Sequence, residues 1–424
     1  MSSAKSRRPV RDLAQPRQAV AQIAEERAVH QAFAWFRANE ALLSRWQMEV
    51  TRIPAPPFGE AARAQWLKTR FNELGLQQVE IDEAGNVTGI HAGASSENPL
   101  IALTAHMDTV FPEGTRLEIR REAGKLLGPG ISDNGSGLTA LLATAAALQA
   151  SGLTHPSPLL FIANVGEEGE GDLRGMRHIF SSPKWKDSIA YTLIIDGAGT
   201  DTLVTRALGS RRFEVTMRGK GGHSWSDFGD PNPIALLSRA IAEFYKTEIP
   251  SNAKRRSAYN VGVIRGGTSV NSIPESASMR VDLRSELAEE VERLEGELRR
   301  CLANAVTNGA PVNARTTSKP NDPASLAAVQ CDIRRIGDRP CAELPEDARI
   351  LQVVKAVDQH LAIRSRLHCA STDANIPLSL GREAVTIGAG GNGGGAHTLN
   401  EWFDPAGRDL GLKRILLALL TLAE

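Results

Sequence analysis

Apolar residues arrive along this chain in short blocks. Residues 99–105, 159–165, 190–195 and 384–387 are dominated by apolar side chains and bounded by polar or glycine-rich sequence. Runs of that length without polar alternation predict strands buried on both faces. Helical stretches fall between them: residues 60–74, ended by Gly75; residues 137–150, small side chains suited to close packing on a sheet; and residues 172–180. Residues 19–46, rich in alanine and charge with few breakers, predict one long helix. The prolines of Ile53-Pro54-Ala55-Pro56-Pro57 interrupt that pattern. This alternation predicts a mainly parallel sheet with helices on both faces.

Between residues 208 and 337 the pattern changes. Residues 212–218 alternate like a half-exposed strand, and residues 233–245 form an amphipathic helix. Strands are predicted at 259–264 and 276–284, separated by the loop 265–274. A long charged helix follows at 287–306, and a last strand at 326–336. The order β-α-β-β-α-β is that of a ferredoxin-like unit. Sheet-like sequence resumes after it. The expected organisation is therefore a first domain in two parts, 1–207 and 338–424, with 208–337 inserted. No internal repeat is evident.

Composition narrows the function. A chain of 424 residues is too long for a single compact core. Apolar content of 42% and charged content of 23% are ordinary for a globular protein. Formal net charge is zero, which offers no footprint for nucleic acid or an anionic membrane. The basic cluster at residues 5–8 reads as a solvated tail. The first 18 residues lack the apolar segment of a secretory signal, and no run reaches the roughly 18 apolar residues of a membrane span. Cys301, Cys331, Cys341 and Cys369 lack paired spacing and read as free thiols in a reducing compartment. A cytoplasmic enzyme is expected.

Candidate chemistry lies at the ends of the predicted strands. His106 and Asp108 follow the run 99–105, as a histidine ligand supported by a carboxylate or as ordinary polar residues at a strand end. Asp133 precedes the small-residue helix, where it could cap the helix or bridge two metal ions. Glu167 and Glu168 follow the run 159–165. Two adjacent carboxylates repel unless a cation lies between them or one is protonated. They read either as a solvated acidic loop or as one metal ligand beside one proton acceptor. Asp196 closes the run 190–195. His397 follows the glycines of 388–395, whose G-x-G-x-x-G is not followed by a helix with an acidic partner and so does not read as a dinucleotide loop. Strand ends are where open α/β sheets bind ligands. Two histidines and three carboxylates, with one carboxylate to spare, would satisfy two zinc ions about 3.5–4 Å apart.

These segments strongly resemble the co-catalytic dizinc peptidases that include tripeptidase T, bacterial dipeptidases, succinyl-diaminopimelate desuccinylase and glutamate carboxypeptidases. The likeness rests on Leu103-Thr104-Ala105-His106-Met107-Asp108-Thr109-Val110, Ser132-Asp133-Asn134-Gly135-Ser136-Gly137, Gly166-Glu167-Glu168-Gly169-Glu170-Gly171 and Ala396-His397-Thr398-Leu399-Asn400-Glu401. It implies an α/β fold: a mainly parallel-sheet dizinc catalytic domain with an inserted ferredoxin-like α+β lid and dimerisation domain. It also implies two Zn2+ ions, replaceable by Co2+ or Mn2+. His106 and Asp196 would hold one, Glu168 and His397 the other, with Asp133 bridging. Glu167 would be the general base and Asp108 would orient His106.

In the inserted segment, Gly221-Gly222-His223-Ser224 resembles the family's oxyanion-stabilising histidine motif, Asn271 a substrate-contacting asparagine, and Arg284 an arginine that pairs with a substrate carboxylate. Tyr191-Thr192-Leu193-Ile194-Ile195-Asp196-Gly197 and Ser371-Thr372-Asp373-Ala374-Asn375 are similar to tripeptidase T. Asn134-Gly135-Ser136 departs from the lysine-containing version, and Trp225 closely follows the His223 motif. The resemblance thus implies a tripeptidase- or dipeptidase-like aminopeptidase acting on small peptides, with a homodimer through the inserted domain. A deacylase of N-acyl-amino acids, a carboxypeptidase or an N-carbamoyl amidohydrolase would use the same dizinc site. A scaffold that had lost its chemistry would be expected to lack ligands or the base, and every position is filled.

Overall fold

A computed structural model of the chain describes residues 14–250, 255–307 and 329–424. Two compact units are present: the residues up to Ala207 together with Glu343–Glu424, and Leu208–Ala342. The basic cluster at residues 5–8 lies outside the described residues. Among the described residues no helix is long and apolar enough to cross a membrane.

The first unit is built on a nine-stranded sheet. Its strands run, in order, Gln77–Ile81, Val87–His91, Leu159–Asn164, Leu100–His106, Ile189–Ile195, Glu383–Ile387, Thr202–Ala207 and the two-residue Ala342–Glu343, with Arg366–Ala370 also paired to Thr202–Ala207. Leu100–His106 pairs in parallel with both neighbours, and Ile189–Ile195 in parallel with Glu383–Ile387. The sheet is therefore mainly parallel at its centre, with antiparallel pairs toward its edges. The register matters for function. His106 sits opposite Asn164, and Ile195 opposite Ile387. Four strands thus end along one edge, and the chain leaves each of them into a segment that carries a candidate residue.

Both faces of this sheet are covered, as continuous apolar strands require. On one face Leu100, Ala102, Leu160 and Ile162 pack with Leu173, Met176, Ile179, Phe180 and Trp185. On the other lie the helix Gly135–Ser151, buried continuously from Gly135 to Leu148, and beside it Arg408–Ala423, with helices of the N-terminal segment packed outside Gly135–Ser151. Alanine and glycine let that helix approach the strands closely.

The single helix expected over 19–46 is three: Ala14–Ala24, Arg27–Ala38 and Glu40–Thr51. Glu26 is extended, and the Asn39 side chain turns back to donate to Trp35 O at 2.8 Å, ending its helix locally. Each segment can then turn its own apolar face, such as Val29 and Phe36 or Leu43 and Val50, into the core. No proline or glycine marks these breaks.

The second unit follows the expected element order. Gly209–Arg218, Ser257–Gly266, Ser276–Ser285 and Gln330–Arg339 form an antiparallel sheet in which the second strand lies at one edge, then the third, the first and the fourth. The last strand starts later and runs further than predicted; residues 326–328 lie outside the described residues. Helices Pro233–Phe244, capped by Asn232, and Ala288–Thr307 cover one face. Phe213, Val215, Met217, Met279, Val281 and Leu283 meet Leu236, Phe244, Leu294 and Leu298 in its core.

Candidate metal centre

Six of the predicted residues converge at the strand ends. His106 Nε2 lies 3.2 Å from Asp133 Oδ1 and 3.7 Å from Asp196 Oδ1. His397 Nε2 lies 3.1 Å from Asp133 Oδ2 and 3.1 Å from Glu168 Oε1. The two oxygens of Asp133 therefore face two different donor sets. Three groups have ligand atoms within 4.8 Å of one another: His106, Asp133 and Asp196; Asp133, Glu168 and His397; and His106, Glu167 and Glu168.

Local bonds fix each member. Asn134, not Asp133, caps the helix Gly135–Ser151, accepting from Gly137 N. Asn134 also donates to Ile195 O and accepts from Gly197 N, tying the Asp133 segment to the Asp196 segment. Asp108 is fully buried. Its carboxylate accepts from Glu167 N at 2.9 Å and Glu168 N at 2.7 Å. The ring of His106 is held from behind by the backbone carbonyl of Asp108, 3.1 Å from Nδ1, with the carboxylate 3.7 Å away. Gly166 sits at φ 68° against Gly171, where a Cβ would lie 2.4 Å from the Gly166 Cα, so this acidic turn requires glycine. Within the glycine run 388–395, Asn392–Gly394 pairs with Trp402–Asp404, and His397 follows in the turn between these strands at φ 65°.

The electrostatics call for a cation. Among the described residues, no lysine or arginine forms an ion pair with Asp133, Glu168 or Asp196. Burial would strip the proton from His106, but the carboxylates of Asp108, Asp133 and Asp196 around the ring outweigh it and hold the imidazole well above its ordinary range. Hydrogen bonds to Asp133 and Glu168 hold His397 at about 10. Burial pushes Asp133 up, and its two histidine partners pull it further down, leaving it well below the usual carboxylate range. Asp133 Oδ1 is buried and meets His106 Nε2 at 3.2 Å without the alignment of a hydrogen bond. Two imidazoles and three carboxylates, with a buried Asp133 oxygen short of a well-aligned donor, suit a pair of divalent cations.

Residues 102–420 match the family described as Peptidase family M20/M25/M40. The chain belongs to this family. Carboxypeptidase G2 of Pseudomonas sp. is 27% identical over 235 residues, covering 53% of this chain and 55% of that protein. The chain thus spans about half the length of that curated relative. Among solved structures, the aminopeptidase PepT of Bacillus cereus superposes with a TM-score of 0.70 at 19% identity, over 91% of this chain and 99% of that one. A Bacillus subtilis protein described as a dinuclear metal binding peptidase of the M20 family gives 0.65 at 14%, over 91% and 99%. At these identities the structures speak to fold.

The inserted unit of this M20-family chain brings two of its three predicted residues together. Gly222-His223 forms a short antiparallel ladder with Ser272-Ile273, and Ser224 N donates to Asn271 O at 3.0 Å. His223 Nδ1 accepts from Trp225 N at 3.2 Å and Ser226 N at 3.5 Å. With Nδ1 facing two backbone N–H groups, Nε2 is the ring nitrogen left to donate outward. Arg284 is elsewhere in the unit. It lies near the far end of Ser276–Ser285, about 26 Å along the strand from Ser276, with Nε on Asp282 at 2.6 Å.

Sequence reasoning gave no role to Glu401, Asn164 or Asp373. Glu401 lies inside the last motif but has no ligand geometry, and its work is on backbone amides. Asn164 donates to Asp373 Oδ2 at 2.7 Å beneath His106; burial pushes the Asp373 carboxyl up to about 7. Only the strand register brings these two together.

Proposed function

We propose that the protein is a zinc-dependent hydrolase that cleaves amide bonds of small peptides, as a tripeptidase- or dipeptidase-like aminopeptidase. The observation that carries this reading is the pair of donor sets sharing Asp133, with Glu167 beside them. His106 and Asp196 would hold one Zn2+ and Glu168 and His397 the other, with Asp133 shared between them. When bound, the ions supply an acidified water and a polarised scissile carbonyl. Glu167 takes the proton from the attacking water and returns it to the leaving amine nitrogen. Asp108 keeps Glu167 and Glu168 in their turn through the two amides. His223 donates Nε2–H to the developing oxyanion, and Asn271 contacts the substrate.

The inserted unit serves as a lid, and as a homodimer contact through which a partner chain can supply His223. Arg284, oriented by Asp282 through Nε, is the proposed partner of a substrate carboxylate. Four free cysteines favour a reducing, cytoplasmic setting. The carboxypeptidase name of the Pseudomonas relative favours a second reading, removal of a C-terminal residue at the same centre. The deciding test is Glu167→Gln: it should retain two zinc ions per chain and lose about 10²- to 10⁴-fold in turnover on small peptides. Turnover like the wild type would sink the assignment.

A further inference from the structure

We propose that Trp225, with Phe228 and Val270, forms an apolar lip beside His223 that selects substrates with an aromatic or large aliphatic side chain next to the scissile amide. Trp225 is 86% exposed, Phe228 74%, and Val270 fully exposed. Of the ten large apolar side chains left exposed among the described residues, these three sit on one pair of loops and Ile234 on the first turn of the helix that follows. Ile234 lies against Gly266 and Gly267 at the foot of the loop that carries Val270. None of the four belongs to the core of its unit. Exposed apolar surface gathered in one place marks a contact site.

The turn that presents them is built. Asp227 accepts from His223 N at 2.7 Å and donates its own N–H to His223 O at 2.9 Å. A Cβ on Gly222 would come within 2.8 Å of the Asp227 carboxylate, so the close packing requires glycine there. Trp225 N is bonded directly to the His223 ring, which puts the indole's attachment point next to the catalytic donor. The Ser224–Asn271 bond makes Trp225 and Val270 leave the ladder at the same end. A group that donates to the scissile carbonyl lies one residue from the flanking side chains of the substrate. The surface beside it is aromatic and aliphatic, so it discriminates by apolar contact rather than by charge.

The proposal rests on the peptidase reading only in placing His223 at the scissile carbonyl. Its test uses zinc-loaded full-length protein and two matched pairs: Phe-Gly-Gly against Gly-Gly-Gly, and N-acetyl-Phe against N-acetyl-Gly. The wild type should favour the Phe member by about tenfold or more in kcat/KM. Trp225→Ala should cut that ratio about tenfold, and Trp225→Phe should restore most of it. A preference confined to the N-acetyl pair, and lost in Trp225→Ala, keeps the lip and fails the peptidase reading. An equal fall for both members of each pair overturns the lip. So does a change from dimer to monomer with the ratio unaltered, which would make this surface a chain–chain contact. No cleavage of either pair counts against both readings.

Discussion

Glu401 Oε1 accepts a hydrogen bond from the backbone N–H of Asp133 at 2.7 Å. The same oxygen accepts from Ser132 N at 2.7 Å, and Oε2 from Gly130 N at 2.8 Å. One buried carboxylate thus satisfies three amides of the loop that carries Asp133. It lies four residues after His397, so it fastens two segments that carry proposed ligands and are far apart in sequence. Burial pushes its carboxyl up to about 7, against the pull of those amides.

Glutamine at 401 cannot reproduce this contact. Whichever way its amide is turned, an NH₂ faces at least one backbone N–H. Glu401→Gln should therefore loosen the Asp133 loop and lower zinc affinity about 10- to 100-fold, the usual scale for a group that orients a ligand. Competition with a chromogenic chelator would measure it. Affinity equal to the wild type would show that the loop holds its shape without Glu401.

Asp108→Asn removes one of two acceptors. Asn can receive the N–H of Glu167 or of Glu168, and its NH₂ then opposes the other, at a cost of about 1–3 kcal/mol. The turn should shift, and a shift of about 1 Å at a catalytic group costs on the order of 10²-fold in rate. The expected result is a fall in kcat of that size with KM changed only a few-fold. A variant that loses KM alone would contradict a positioning role for Asp108.

Zinc loading should release protons. His397 is held at about 10 and His106 well above its ordinary range, so both imidazoles carry protons near neutral pH in the metal-free protein. A metal ligand must be deprotonated. Filling both positions at pH 7 should release about two protons per chain, and affinity should rise with pH until the imidazoles titrate. Calorimetric titrations in two buffers of different ionisation enthalpy give the number directly. Release near zero would remove the histidines from the ligand set.

Much of this centre was legible in sequence because its parts are terminal to strands. An apolar run that stops at His106, at Glu167 or at Asp196 announces both the strand and the residue it delivers, and parallel pairing then aligns the ends. What was not legible depends on three-dimensional register or on ambiguous side chains. Asn134 rather than Asp133 caps the helix, because both residue types cap equally well and only the fold decides which faces the ligands. The breaks near Glu26 and at Asn39 were hidden because neither residue is a strong breaker. The Arg284 position, near the far end of its strand from the His223 loop, follows from strand length and not from motif order.

A pair of histidines away from the metal centre sets an acid limit to stability. His155 Nδ1 donates to Ser157 O at 2.6 Å, so its Nε2 accepts from His91 Nδ1–H at 2.8 Å. Burial, and then the neighbouring His155, lower His91 from 6.5 to about 4; burial also lowers His155. Between those values the unfolded chain binds a proton that the folded chain refuses. Stability is therefore present above about pH 6.5 and is lost as pH falls toward 4. His91→Gln keeps a donor for His155 and removes one titration. Urea midpoints measured at intervals from pH 7 to 4.5 should fall less steeply for the variant than for the wild type, with His155 accounting for the slope that remains. Superimposable pH profiles would show that His91 takes up its proton in the folded state without breaking the pair.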